Sequence, residues 1–93
     1  MTEATGGAGQ VTRPMPRYKS HKEVHALKIV RVENTTEGGT LYPEDRSYDK
    51  IQVDFPYMAK HNPFEGGYYV VYKDGYKSFS PAEAFEDGYT RVD

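Results

Sequence analysis

The chain of 93 residues contains no cysteine and no tryptophan. Without cysteine there is no disulfide framework, no thiolate nucleophile and no sulfur ligand for a metal. Small secreted domains commonly use disulfides to compensate for a thin core, so their absence points to the reducing cytoplasm. Long apolar runs are missing as well. None approaches the roughly 18 residues that a membrane-spanning helix needs, and Met1–Gln10 has no apolar signal-peptide segment. No membrane contact is expected. The G-x-S-x-G, Walker A and Rossmann glycine patterns do not occur, so the usual sequence marks of hydrolases, nucleotidases and dinucleotide enzymes are lacking. A large excess of one charge sign is also absent. The net charge of -2 argues against a protein built mainly to neutralise phosphates.

What is present is aromatic and unevenly charged. There are nine tyrosines and four phenylalanines, a high share for a chain that is 37% hydrophobic. Tyrosine is apolar on its ring and polar at its tip, so it serves small cores and recognition surfaces alike. Between Arg13 and Arg31 six bases face one acid, Glu23, whereas Glu83–Asp93 carries four acids and one base. Residues 1–16 are rich in Gly, Thr, Ala and Pro and hold almost no large apolar side chain. Such a segment cannot offset its ordering entropy, so a disordered tail over 1–16 and one globular domain over 17–93 are expected.

The stretch Glu23–Glu33 is dense in β-branched residues and reads as a central strand. Val24, Ala26, Lys28, Val30 and Val32 lie on one face, and Leu27, Ile29 and Arg31 on the other. A helix beginning near His21 fits the same residues less well. Asn34–Gly39 is a turn by composition, and Thr40–Tyr42 resumes as a return strand. Ile51, Val53 and Phe55 alternate along a further strand, and Pro56–His61 forms a short helix that Asn62-Pro63 ends. Tyr68–Ser80 reads as a β-hairpin. Asp74-Gly75 suits a two-residue type I′ turn, which pairs Val71 with Ser78 and Val70 with Phe79. Ser80-Pro-Ala-Glu83 has the form of a capping box for a helix ending at about Asp87, with Gly88 in the left-handed position. Phe79 would staple onto Ala84, and Phe85 would point inward. Tyr89–Val92 can return as an edge strand. The fold class is therefore α+β: a small antiparallel, barrel-like sheet, nearest to an SH3-like barrel, with a C-terminal hairpin followed by a short capped helix.

Four hairpin tyrosines, Tyr68, Tyr69, Tyr72 and Tyr76, are too many to bury in so small a domain. An exposed aromatic face of this kind suits a partner protein or stacked bases. Arg17, Lys19 and Lys22 form the accompanying basic segment. His21, Glu23 and His25 would share a strand face, with His61 as a further nitrogen. Exposed polar residues at a strand start are the simpler reading, and no metal or other cofactor is expected. Glu44, Asp45 and Asp49 share one loop with Arg46 but show no paired arrangement for acid–base work.

The segments His21-Lys-Glu-Val-His-Ala-Leu-Lys-Ile29 and Gly67-Tyr-Tyr-Val-Val-Tyr-Lys-Asp-Gly-Tyr-Lys-Ser-Phe-Ser-Pro-Ala-Glu-Ala-Phe-Glu-Asp-Gly-Tyr-Thr90 resemble a group of small uncharacterised proteins of tailed bacteriophages and prophages. The resemblance spans about residues 17–92. His25 and Phe79 stand where the group is associated with tryptophan, and the tail precedes Met15. The resemblance implies a phage accessory product acting in the infected bacterial cell. It implies no activity and no catalytic residue. The expected function is a non-enzymatic protein-binding module for a host or phage protein, with a homodimer as one form it can take. The alternative is a nucleic-acid-binding module using the basic segment and the hairpin tyrosines.

Overall fold

The computed structural model describes residues 15–19 and 23–92. These contain seven strands and two helices: β1 (Arg17–Lys19), β2 (Glu23–Thr35), β3 (Gly38–Pro43), β4 (Ile51–Asp54), α1 (Phe55–His61), β5 (Tyr68–Val71), β6 (Lys77–Ser80), α2 (Ala82–Gly88) and β7 (Thr90–Arg91). Every strand pair is antiparallel. The chain is thus α+β, as its pattern of alternating strands and short helical segments implied.

β2 organises the sheet. Its N-terminal half pairs with β1 and, on its other edge, with β5. Its C-terminal half pairs with β3. A strand of 13 residues is long for this molecule, whose greatest extent is 35 Å. Straight, at an ordinary strand rise per residue, it would reach beyond that extent. It bends at a bulge instead. Ile29 pairs with Pro43 and Arg31 with Tyr42, so Val30 is the extra residue. The bulge also resets the side-chain alternation. Val32, expected on the face of Val24 and Ala26, packs with Ile29.

Two cores result, one on each face. Val24, Ala26, Tyr68, Val70 and Phe85 form the first, where α2 covers the sheet. Ile29, Leu41, Tyr57 and Tyr69 form the second, where α1 bridges the two halves of the curled sheet. α1 approaches β3 so closely that a Cβ at Gly39 would meet the Met58 sulfur. Met15 and Pro16 belong to this structure rather than to a tail. Met15 packs on the second core, and the Pro16 carbonyl accepts from the Ala26 amide at 3.0 Å. The rest of the expected tail, residues 1–14, lies outside the described residues.

The C-terminal hairpin differs from expectation by one residue. Tyr69 pairs with Phe79, Val70 with Ser78 and Val71 with Lys77. The loop is the three residues Lys73-Asp74-Gly75. The Gly75 amide donates to the Tyr72 carbonyl and the Tyr72 amide to the Tyr76 carbonyl, both at 2.9 Å. Gly75, at φ +92°, takes the left-handed position of a type I turn with a bulge. Asp74 contributes by accepting from the Tyr76 amide at 3.0 Å. The slip moves Phe79 to the second core, beside Tyr69 and away from α2. Phe85 is then the one buried residue of that helix. Ser80 still belongs to β6, and its hydroxyl donates to the Pro81 carbonyl at 3.3 Å instead of capping. Pro81 holds the N-cap position with no side-chain cap bond, and Gly88 remains helical with Tyr89 as C-cap. Phe55 likewise leaves its strand to begin α1 and is 57% exposed.

Candidate functional site

β4 passes directly into α1. The Asp54 carboxylate accepts from the Tyr57 amide at 2.9 Å, Pro56 occupies the first turn, and Asn62 closes the helix in a left-handed conformation at φ 45°. Tyr57, Lys60 and His61 fall at the three- and four-residue spacings that share one side of a helix. Tyr57 turns inward, and its hydroxyl donates to the Ser78 carbonyl of β6 at 2.7 Å. That bond ties α1 to the hairpin. Burial is the main reason that the Tyr57 hydroxyl holds its proton well above the ordinary tyrosine range.

The hairpin turn faces α1 across a cleft of about 540 Å³. Gln52, Val53 and Asp54 of β4 form one wall, Tyr57, Lys60 and His61 another, and Gly75, Tyr76 and Lys77 a third. Tyr76 is 42% exposed. The Lys60 ammonium stands 5.2 Å from its ring centre, and its hydroxyl is 3.4 Å from His61 Nε2. The His61 ring packs on Tyr57, with centroids 4.6 Å apart. Partial burial and then the charge of Lys60 lower the His61 pKa, which favours the neutral imidazole. Lys60 and Lys77 have no carboxylate partner among the described residues. The cleft thus combines aromatic walls with two lysines and one carboxylate, that of Asp54.

The residues singled out in the sequence are dispersed. Tyr68 and Tyr69 are 6% and 5% exposed, in opposite cores, so neither can belong to a binding surface. The Tyr68 hydroxyl donates to Glu86 at 2.7 Å, a bond that lowers the Glu86 pKa. Tyr72 is half-buried on the first core, and its ring lies parallel to that of Tyr76 with centroids 5.8 Å apart. Of the four tyrosines only Tyr76 lines the cleft. Arg17 and Lys19 are exposed on β1, where Arg17 donates to Glu23 at 2.6 Å. Both β2 and β5 stand between β1 and β6 in the sheet. The basic segment and the exposed tyrosine are therefore not brought together. Lys22 and His21 lie outside the described residues. His25 is in β2, opposite Arg17 and Val71, while His61 is on α1. No group of three metal-ligating side chains occurs among the described residues.

Sequence reasoning missed Tyr57, Lys60 and Lys77, and it considered His61 only as a metal ligand. The residues of α1 carried a signal, since spacings of three and four in the segment following Pro56 share a helix face. Lys77 carried none, because its meeting with α1 depends on the tertiary fold.

Among the described residues no helix is long and apolar enough to cross a membrane. No family model, curated protein or solved structure matches the chain.

Proposed function

We propose that the chain is a non-enzymatic protein-binding module and that its contact surface is the cleft between β4, α1 and the β5–β6 turn. The observation that carries this reading is the exposed Tyr76 flanked in a cleft by Lys60 and Lys77, both without an ion-paired carboxylate among the described residues. An exposed tyrosine is a common anchor at the centre of an interface, and charged groups beside it suit the polar rim. The resemblance to tailed-phage proteins supports a host or phage protein as the partner, met in the cytoplasm of an infected bacterium. Nucleic acid is the weaker reading. Base stacking needs a free ring face, whereas Tyr76 stacks with Tyr72 and carries Lys60 over its ring. Arg17 and Lys19, the residues that would hold phosphates, sit on a different part of the sheet.

A photo-reactive phenylalanine at position 76, with one at exposed Val30 as control, tests the reading in bacterial cytosol. Discrete protein adducts from position 76 that survive nuclease, with none from position 30, are expected. Adducts that disappear on nuclease treatment, or no adduct from position 76, would overturn it.

A further inference from the structure

The cleft has a second property that concerns backbone rather than side chains. Two of its walls are strand edges without partners among the described residues. There β6 pairs only with β5, and β4 only with β3. In an antiparallel ladder the N–H and C=O of successive residues point to alternate sides. The Tyr72 amide donates to the Tyr76 carbonyl, so Tyr76, Ser78 and Ser80 face β5. The N–H and C=O of Lys77 and Phe79 therefore point away from it. On the other wall, the Glu44 amide donates to the Lys28 carbonyl, which turns Pro43 and, two residues back, Leu41 away from β2 and toward β4. Ile51 and Val53 answer Leu41 and Gly39 there, which leaves the Gln52 backbone pointing outward. Neither Lys77, Phe79 nor Gln52 has a backbone partner outside these ladders among the described residues. α1 continues from β4 and is fastened to β6 by the Tyr57–Ser78 bond, so it fixes the spacing of the two edges.

We infer that this slot takes an extended, acidic peptide segment of a partner protein, which adds as a strand along β6 or β4 while Lys60 and Lys77 receive its carboxylates. The inference rests on the protein-binding reading above and specifies its chemistry. Main-chain hydrogen bonds to a free edge supply affinity in this mode, and flanking side chains supply selectivity. The charge argument selects the occupant. The one acid that lines the cleft, Asp54, is turned to the Tyr57 amide, and Asp74 of the turn to the Tyr76 amide. Neither forms an ion pair with Lys60 or Lys77, so among the described residues the two lysines outnumber the lining carboxylate.

The test pans the immobilised full-length protein against a displayed library of random twelve-residue peptides. Enriched sequences should alternate apolar residues with Asp or Glu. One enriched peptide, made synthetically, should slow hydrogen exchange at the Lys77 and Phe79 amides or at the Gln52 amide. Lys77→Gln should weaken its binding about threefold, the scale of one exposed ion pair. Where protection falls on Lys77 and Phe79, Lys77→Pro should weaken it a further five- to tenfold, through loss of one edge donor. The proline variant should keep wild-type thermal unfolding, because that N–H has no ladder partner. The exchange experiment needs no variant and stands if the proline variant does not fold. Binding that leaves the Lys77, Phe79 and Gln52 amides unprotected would overturn strand addition and leave the protein-binding reading intact. A selection that enriches nothing, or one that favours basic peptides, would overturn the acidic peptide, and the cross-linking result would then judge the broader reading separately. Protection of the same amides without peptide, in a protein that runs as a dimer, would assign the slot to a second copy and overturn the inference.

Discussion

Replacing Phe85 by alanine removes the one residue that α2 buries. Phe85 is 1% exposed. Its ring lies 4.3 Å from Tyr68 and 4.6 Å from Tyr89, both stacked, and 4.8 Å from Tyr18 edge-on. Phenylalanine-to-alanine changes in cores cost about 3–5 kcal/mol through lost transfer energy and the cavity left behind. Ring pairs add about 0.5–1.5 kcal/mol each beyond area. Three such pairs place the loss at the upper end of the core range, about 4–5 kcal/mol. A domain of this size has roughly 4–11 kcal/mol in all, so the variant sits at or near the unfolding threshold. Urea unfolding followed by far-ultraviolet circular dichroism reads the change. Phe85→Leu keeps an apolar side chain in the site but no ring. It should lose clearly less than the alanine variant, and it keeps the measurement possible if that variant is unfolded at the outset. A loss for Phe85→Ala no larger than that of Phe85→Leu would refute the assignment of the ring cluster as the anchor of α2 and show it to be peripheral.

Gly75→Ala meets no atom within 4 Å, but must hold φ near +92°. Its cost should be about 1–2 kcal/mol, all of it backbone strain, read by the same urea titration. Ser80→Ala should change stability by less than about 0.5 kcal/mol, because the hydroxyl caps nothing. Tyr57→Phe forfeits the bond to the Ser78 carbonyl and should cost about 1 kcal/mol, with loosening of the hairpin visible as faster amide exchange near Tyr76. Burial raises the pKa values of the Tyr57, Tyr68 and Tyr69 hydroxyls above their ordinary 10.0. The unfolded chain then releases protons that the folded chain keeps, so their contribution is whole below pH 10 and lost as pH rises beyond it. Near-ultraviolet absorbance and circular dichroism should show these tyrosines ionising in step with unfolding. His61 has the opposite sign. Its lowered pKa makes the fold lose stability as pH falls below about 6.5, the ordinary histidine value, and His61→Gln should flatten that slope in thermal melts.

Much of the fold was legible because it is local. The β-branched run Glu23–Glu33 reads as a strand in preference to a helix, and Pro56 and Asn62 bracket a short helix. What failed was register. Asp74-Gly75 is compatible with a two-residue turn and with a three-residue turn whose glycine closes a bulge. The choice depends on which face of β6 must carry Phe79. Gly67 and Tyr69 settle that choice, with Phe64 packed on Phe79 at 5.5 Å, and none of these contacts is local. The bulge at Val30 is similar. It reverses the facing of Val32, and only the pairing of Arg31 with Tyr42 reveals it. The Ser80 box failed for a related reason. Pairing of Ser80 with Tyr68 keeps it in the strand, and its hydroxyl turns to the Pro81 carbonyl rather than to the helix amides.

The candidate site was hidden by the same non-local choices. An excess of tyrosine suggested an exposed aromatic face, but two adjacent tyrosines in a strand must point to opposite sides. Where both sides of the sheet are covered, both are buried, as Tyr68 and Tyr69 are. The position left to reach solvent is the turn, and that is where Tyr76 stands. The cleft beside it exists because α1 follows β4 without a loop and is fastened to β6 by one hydroxyl. A one-residue shift of the hairpin toward the expected register would turn Lys77 to the other face and aim its N–H at β5. The lysine pair would then be lost, and the outward-pointing amides of the edge would be those of Ser78 and Ser80. The site is therefore a consequence of register, and the three-residue loop closed by Gly75 is what sets that register.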